Sequence, residues 1–290
     1  MHAAQLRTLI DAPEILVAPG GFDALSASLI EIAGFQAMYL SGASIAYTKL
    51  GRPDIGLVSM NEVADSMSLI REKVSLPVII DADTGFGNAL NVQRTVRLFE
   101  RCGASAIQLE DQQMPKRCGH LKGKALVSTQ EMIGKIKAAV DARASPDTLI
   151  IARTDAIAVE GFAAAMDRAH QYYAAGADVL FIEAPESLAQ MQHMNTQFAH
   201  KIPLLANMVE GGSTPLKSAQ ELQQIGYQLA IFPGALVRAY SFMAQHFLRD
   251  LKQHGNTLSW QDRMHNLTSL NQFLGTDKLL ELGKSYEGKV

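Results

Sequence analysis

The sequence predicts a (β/α)8 TIM barrel with extra C-terminal helices, and three observations carry that prediction. Short apolar runs, partly β-branched, recur at eight places. Helical segments separate most of them, and the residues that close them are unusually polar. Apolar runs without polar alternation read as strands covered on both faces, as in a parallel sheet. Eight β–α alternations in 290 residues suit one barrel better than a doubly wound sheet, which usually has fewer strands.

Taken in order, the first run is Ile15–Ala18. The second, Ala37–Leu40, follows a helix end at Leu29–Ala33 and Gly34. The third is Val78–Asp81 and the fourth Ala106–Leu109, after Leu98–Cys102 and Gly103. The fifth is Leu149–Ala152, and the sixth, Val179–Ile182, follows His170–Ala175 and Gly176. The seventh is Pro203–Ala206, and the eighth, Leu229–Phe232, follows Leu222–Ile225 and Gly226. A glycine directly after a helix is the usual left-handed cap. The prolines at Pro77 and Pro203 are tolerated at the first position of a strand. Beyond Leu236 there is no strand signal, only helices such as the amphipathic Ala235–His254. No low-complexity linker interrupts the chain. The expectation is one barrel domain, 1–290, with 236–290 as a helical extension that caps the barrel or packs on a neighbour.

The composition, 48% hydrophobic and 19% charged, is that of a folded globular protein. A net charge of −3 without blocks of like charge gives no reason to expect nucleic acid or a membrane surface as partner. A small anionic substrate would need local positive charge. The two cysteines, Cys102 and Cys118, make no disulfide scaffold and fit a reducing compartment. The start of the chain lacks a basic region followed by an apolar core, so no secretory signal is expected. No apolar stretch approaches ~18 residues, so no membrane span is expected either. A cytoplasmic location follows as the expectation.

Barrel active sites lie at the C-terminal ends of the strands. The second run leads into Tyr39-Leu40-Ser41-Gly42, the third into Asp81-Ala82-Asp83-Thr84-Gly85, and the fourth into Glu110-Asp111-Gln112. The fifth leads into Arg153-Thr154-Asp155, the sixth into Glu183, and the seventh into Asn207 and Glu210. Carboxylates at the ends of buried strands are costly unless paired or bound to a cation. Asp81 and Asp83, two apart, share a face, Glu110 comes from the neighbouring strand, and Asp54 lies in the loop after strand two. Four oxygen donors without a His or Cys cluster suit a hard divalent ion, Mg²⁺ first and Mn²⁺ as a substitute. Capping of the next helix, or pairing with Arg94 and Arg97, is the alternative and would be preferred for a single aspartate.

The polar loop Pro115-Lys116-Arg117-Cys118-Gly119-His120 places a thiol among cationic groups, which predicts a lowered thiol pKa and a role as general acid or base. Gly119 and Gly123 would let the loop close as a lid. A surface thiol beside solvated charges is the plain alternative. Arg153 suits a substrate carboxylate, or an ion pair with Asp155 or Glu183. Ser41, Gly42 and Ala43 are small enough for backbone N–H groups to approach an anion. Tyr47, Phe86, Ile182, Met208, Phe232, Pro233 and Leu236 are expected to set pocket size.

At these motifs, together with Gly51-x-Pro53-Asp54-x-Gly56 and Gly85-x-Gly87-Asn88, the chain resembles the isocitrate lyase/phosphoenolpyruvate mutase superfamily. The resemblance implies a barrel with a swapped C-terminal helix and a homotetramer. It also implies Mg²⁺ held directly by Asp83, with Asp54, Asp81 and Glu110 acting largely through water. Lys116-Arg117-Cys118-Gly119-His120 marks the lyase branch, with Cys118 as proton donor. By resemblance the substrate is a small 2-hydroxy di- or tricarboxylate, cleaved to a 2-oxo acid such as pyruvate and a carboxylate. Tyr39 or a metal-linked carboxylate would be the base. Arg117, His120 and Asn207, beside Lys116, would stabilise the leaving enediolate, and Ser41, Gly42, Ala43, Arg153, Glu183, Asn207 and Glu210 would bind substrate. Within the branch, Glu210-Gly211-Gly212-Ser213-Thr214-Pro215, Phe181-Ile182-Glu183-Ala184, Pro115 and Met264-His265-Asn266 are closer to 2,3-dimethylmalate lyases and carboxyvinyl-carboxyphosphonate phosphorylmutases than to 2-methylisocitrate lyases. The alternatives are a phosphonate mutase, an oxaloacetate hydrolase or decarboxylase, and a silent barrel that only binds.

Overall fold

The structure is a computed structural model that describes residues 1–121 and 123–287. The chain divides into two compact units, Met1–Arg238 and Ala239–Val290.

The first unit is built on eight strands: β1 Leu16–Gly21, β2 Met38–Leu40, β3 Val78–Asp81, β4 Ala106–Glu110, β5 Leu149–Thr154, β6 Val179–Ile182, β7 Leu205–Asn207 and β8 Leu229–Phe232. Neighbours pair in parallel in the order β6-β5-β4-β3-β2-β1-β8-β7. A bridge between Leu180 and Leu204 joins the two ends. The ring is therefore the expected (β/α)8 barrel. β3, β6 and β8 have the expected bounds. β1, β4 and β5 run further, to Gly21, Glu110 and Thr154, because their neighbours continue the ladder: Gly21 pairs with Leu40, Glu110 with Arg153 and Thr154 with Ile182. β7 starts at Leu205 rather than Pro203. Proline has no N–H to give the ladder, and Pro203 instead accepts from the Leu180 N–H at 3.0 Å.

The strands are apolar throughout because both faces are covered. Ile79, Ile151, Phe181 and Ile231 point into the barrel with Leu6 and Ile10 from helix His2–Ile10. Val78, Ile80, Ile107 and Ile150 face outward onto helix residues such as Phe99, Ile136 and Tyr172. Burying each such aliphatic side chain contributes about 1.5–3 kcal/mol. All four capping glycines have positive φ, 87° at Gly34, 94° at Gly103, 103° at Gly176 and 116° at Gly226.

In the second unit, the 3-10 turn Leu258–Trp260 sets Trp260 edge-on to Phe247 at 5.5 Å, with its indole N–H donating to Asp250 at 2.9 Å. Helices Leu267–Leu274 and Thr276–Ser285 bury no side chain and expose Leu267, Leu279 and Leu282. No described helix is long and apolar enough to cross a membrane.

Candidate active site

A cavity opens at the C-terminal ends of the strands. Of the residues singled out in the sequence, Tyr39, Ser41, Ala43, Asp54, Asp81, Lys116, Cys118, His120, Arg153, Glu183 and Asn207 line it. Asp83, Glu110 and Gly42 stand directly behind this wall. A Cβ at Gly42 would lie 3.3 Å from Asp81 Oδ2 and 3.6 Å from Asp83 Oδ1, so the small residue lets the turn after β2 press onto the acids. Arg117 is exposed, and its guanidinium lies against Gly123 rather than in the cavity. Glu210 is half-exposed and pairs with Arg238. Of the residues expected to set pocket size, Tyr47 and Pro233 line the cavity, whereas Met208 is wholly buried and Phe86 lines a separate groove.

Lys116 is the centre of the acid cluster. Its ammonium is buried and lies 2.6 Å from both Asp54 Oδ1 and Asp83 Oδ1. Burial works against its charge, but Asp83, Glu110, Asp54 and Asp81 together outweigh burial and hold its pKa well above the usual lysine value. One ammonium thus answers to four carboxylates. The same burial pushes the carboxyls of Asp83 and Glu110 up, against the pull of Lys116 on the first and Arg153 on the second. Asp83 has φ 46°, a left-handed conformation that aspartate adopts only at some cost. The Asp83 N–H donates to Asp81 Oδ1 at 3.1 Å, so the backbone twist serves the cluster. Pairing with Arg94 or Arg97 is not what the aspartates do; Arg97 donates to Gln93.

Arg153, at the end of β5, ties the far wall together. Its guanidinium grips Asp155 in a two-bond fork at 2.9 and 3.0 Å, and reaches Glu110 and Glu183, each at 3.4 Å. Burial alone would raise the Asp155 pKa, yet Arg153 and Lys124 bring it down to about 2. Asn207 Nδ2 donates to Glu183 at 2.9 Å, while Asn207 Oδ1 is buried with no partner and free to accept from a ligand.

The loop from Gln112 to Leu126 is closed at its base by an antiparallel bridge between those two residues. It carries Cys118 and His120 over the cavity. His120 Nε2 lies 3.5 Å from Glu183, and its Nδ1 accepts from the Ser213 N–H at 3.3 Å. The lowered thiol pKa expected from sequence is not found. Burial pushes the Cys118 thiol up; the His120 backbone N–H opposes this and Asp54 adds to it. Lys116 is committed to Asp54 and Asp83, and the Arg117 guanidinium points elsewhere, so neighbours in sequence are not neighbours in field. A raised thiol pKa keeps the proton on sulfur at neutral pH, which suits a general acid. Gly119 is closely packed in this arrangement. Its missing Cβ is what lets the loop pack on Arg153 and Glu183, and Lys124 donates to its carbonyl.

Four residues with roles here were not legible as site residues. Gln108 accepts from the Tyr39 phenol at 2.8 Å and donates to Asp81 at 3.2 Å, inside the barrel. Its only sequence signal was a lone polar residue within an apolar strand. Lys124 completes the Asp155 pair at 2.8 Å. Arg238, at the end of the first unit, lines the cavity. Gln112 holds the loop that carries Cys118 by both backbone atoms of Arg117, donating at 2.8 Å and accepting at 2.9 Å. Gln112→Ala is therefore expected to cost about 1–3 kcal/mol of loop order. The check is hydrogen exchange at Arg117 and Cys118 beside steady-state kinetics. Unchanged exchange protection would remove this role from Gln112.

Tests of fit favour a divalent cation. The donors are hard oxygens, negative charge exceeds the nearby positive charge, and Glu110 Oε1 is buried without a hydrogen-bond partner. Among the described residues no three His, Cys, Asp or Glu side chains form a ready-made chelate. A cation with few direct protein ligands, whose shell is filled by water and substrate, meets both facts, and that is the habit of Mg²⁺.

Fold and site together define a (β/α)8-barrel enzyme. The family model described as phosphoenolpyruvate phosphomutase matches residues 6–252. A 2,3-dimethylmalate lyase of Eubacterium barkeri is 44% identical over 98% of this chain and 98% of its own. A 2-methylisocitrate lyase of Aeropyrum pernix is 47% identical over 93% of this chain and 86% of its own. Among solved structures, a 2,3-dimethylmalate lyase covers 99% of this chain and 96% of its own with a TM-score of 0.92 at 36% identity. A phosphonopyruvate hydrolase complex with oxalate and Mg²⁺ covers 99% of both chains with a TM-score of 0.88 at 29% identity. The chain belongs to the phosphoenolpyruvate mutase/isocitrate lyase superfamily. Identities of 44% and 47% to the two lyases do not separate their substrates.

Proposed function

We propose that the protein is a Mg²⁺-dependent lyase that breaks a carbon–carbon bond in a small 2-hydroxy di- or tricarboxylate of the 2,3-dimethylmalate or 2-methylisocitrate type. The products are a 2-oxo acid such as pyruvate and a second carboxylate. One observation carries the reading: a half-buried thiol, Cys118, shares a cavity with a cluster of carboxylates that outnumbers its own lysine.

Asp83, with Asp54, Asp81 and Glu110 around it, would hold Mg²⁺, which when bound would supply Lewis-acid polarisation of the substrate hydroxyl and adjacent carboxylate. Arg153 and the backbone of Ser41–Ala43 face that carboxylate. The hydroxyl proton passes to a carboxylate of the cluster. Tyr39 is a poor base here, because burial and then Asp81 oppose its ionisation and its hydroxyl donates a hydrogen bond to Gln108. As the carbon–carbon bond breaks, its electron pair moves onto the second fragment as an enediolate. His120 and Asn207 line that part of the cavity as hydrogen-bonding groups. Cys118 gives its proton to the fragment's carbon, and the thiolate is reprotonated before the next turnover.

The reading includes a homotetramer in the cytoplasm, with 236–290 as a helical extension of one barrel domain that is swapped onto a neighbour. The exposed leucines of its last two helices support burial by another copy, and light scattering would give the mass of four chains.

A coupled pyruvate-release assay over 2-methylisocitrate, 2,3-dimethylmalate, citramalate, isocitrate and oxaloacetate tests the function. Turnover of one hydroxy acid is expected, abolished by EDTA and restored by Mg²⁺ or Mn²⁺. Activity on oxaloacetate alone, or on phosphonates alone, would sink the lyase reading.

A further inference from the structure

A general acid must stand within reach of the atom that takes its proton, and Cys118 rides on a loop. The holds on that loop are uneven. Before the thiol, Gln112 bonds both backbone atoms of Arg117, and Lys116 is held by Asp54 and Asp83. At the thiol, the Cys118 N–H donates to the Asp54 carbonyl at 3.2 Å. Beyond it, the Leu121 N–H turns back onto the Cys118 carbonyl, which ties the loop only to itself. The Gly119 carbonyl, one residue past the thiol, takes its bond from the Lys124 ammonium.

Lys124 is an unusual group to find there. Its side chain is only 1% exposed, and lysine is seldom buried to that degree without a partner. The ammonium also donates to Asp155 Oδ1 at 2.8 Å. Asp155 already has a two-bond fork from Arg153, so its own pairing does not require Lys124. What Lys124 adds is the tie to Gly119. The anchor at the other end is firm. The Asp155 N–H donates to Asp111 Oδ1 at 2.9 Å, and Asp111 Oδ2 accepts from the hydroxyls of Thr154 and Tyr172. The strut therefore ends on the barrel, at the carboxylate that also holds Arg153 of the cavity wall. Lys124 does not line the cavity, so any effect on the reaction runs through the loop.

We propose that Lys124 is the positioning residue for Cys118: its ammonium ties the Gly119 carbonyl to Asp155 and so fixes the thiol over the cavity. The inference deepens the lyase reading and rests on it for what the thiol does, but not for where the thiol is held.

The test reads the thiol directly, by alkylation of the folded protein with iodoacetamide. Each cysteine is followed by the mass of its peptide, with the half-buried Cys102 as internal reference. Lys124→Met keeps most of the side chain and removes the ammonium. It is expected to speed alkylation of Cys118 by about tenfold, the size of a lost charged hydrogen bond, and to leave Cys102 within about twofold. With the hydroxy acid that is turned over, kcat is expected to fall by about tenfold while KM stays within about twofold. In the Cys118→Ser background the same substitution should cost no further activity, because the group it positions is gone. Lys124→Gln keeps a donor and should fall between the two, and it carries the test where the methionine variant does not fold. Unchanged alkylation of Cys118, equal acceleration at both cysteines, or a kcat loss undiminished in Cys118→Ser would overturn the assignment. Near-native turnover of Cys118→Ser would instead sink the thiol's part in the lyase reading. The alkylation rates, read without turnover, would still decide whether Lys124 holds the thiol in place.

Discussion

Replacing Cys118 with serine is expected to lower kcat by about 10²–10⁴-fold, the range for removing a positioned general acid. The hydroxyl fills nearly the same space, and the backbone bonds that seat the residue, Cys118 N–H to Asp54 and Leu121 N–H to the Cys118 carbonyl, do not involve sulfur. Binding of Mg²⁺ and oxalate should therefore survive. What changes is acidity, since a serine hydroxyl gives up its proton far less readily than a thiol. The pH profile adds an independent check. An acid must be protonated to act, and burial has pushed this thiol up from its ordinary value near 8.5. The native rate should hold through neutral pH and fall only at alkaline pH, above that ordinary value. The serine variant should lack this alkaline limb. Near-native turnover in Cys118→Ser would remove the thiol from the mechanism.

Arg153→Met is expected to have the largest effect on stability. The substitution keeps much of the side-chain volume but leaves Asp155, Glu110 and Glu183 facing one another in a buried site. Breaking a buried ion pair by removing one partner costs about 3–5 kcal/mol. At about 2–4 °C per kcal/mol for a domain of this size, thermal unfolding should fall by roughly 10 °C. The added substitution Asp155→Leu should restore part of the loss, because the most strongly held carboxylate goes with its partner. The sign with pH follows from the depressed Asp155 pKa. Its folded value, about 2, lies below the unfolded value near 3.9. The contribution is therefore present above about pH 4 and lost as pH falls towards 2, and the variant's deficit should shrink over that window. A deficit unchanged between pH 6 and pH 3 would mean that Asp155 is not the group involved.

Much of the barrel was legible because its signals are local. Gly34, Gly103, Gly176 and Gly226 mark helix ends through their own backbone conformation, and continuous apolar runs mark strands covered on both faces. The acid cluster was legible for a related reason. Strand ends point one way in a parallel barrel, so Asp81, Asp83, Glu110, Arg153 and Asn207 were bound to meet whatever the loops did. Asp54 and Lys116 are different, since each sits in a loop. That their side chains meet at 2.6 Å was set by the fold alone; the resemblance put Asp54 with the acids and Lys116 beside Cys118 without pairing them.

The tertiary structure alone decided the electrostatics. Lys116, Arg117 and His120 flank Cys118 in the chain, and sequence proximity predicted a lowered thiol pKa. In space Lys116 spends its charge on two aspartates, Arg117 lies outside the cavity, and burial prevails. The functions of Gln108, Gln112, Lys124 and Arg238 were hidden for the same reason. Each acts through a bond to a residue distant in the chain, or through the wall it shares with one. The sequence by itself determined which groups would be carried to the mouth of the barrel, because that depends on strand direction and local conformation. Which of them remain charged, paired or open to a ligand depends on through-space distance and on exclusion of water, and only the folded chain sets those.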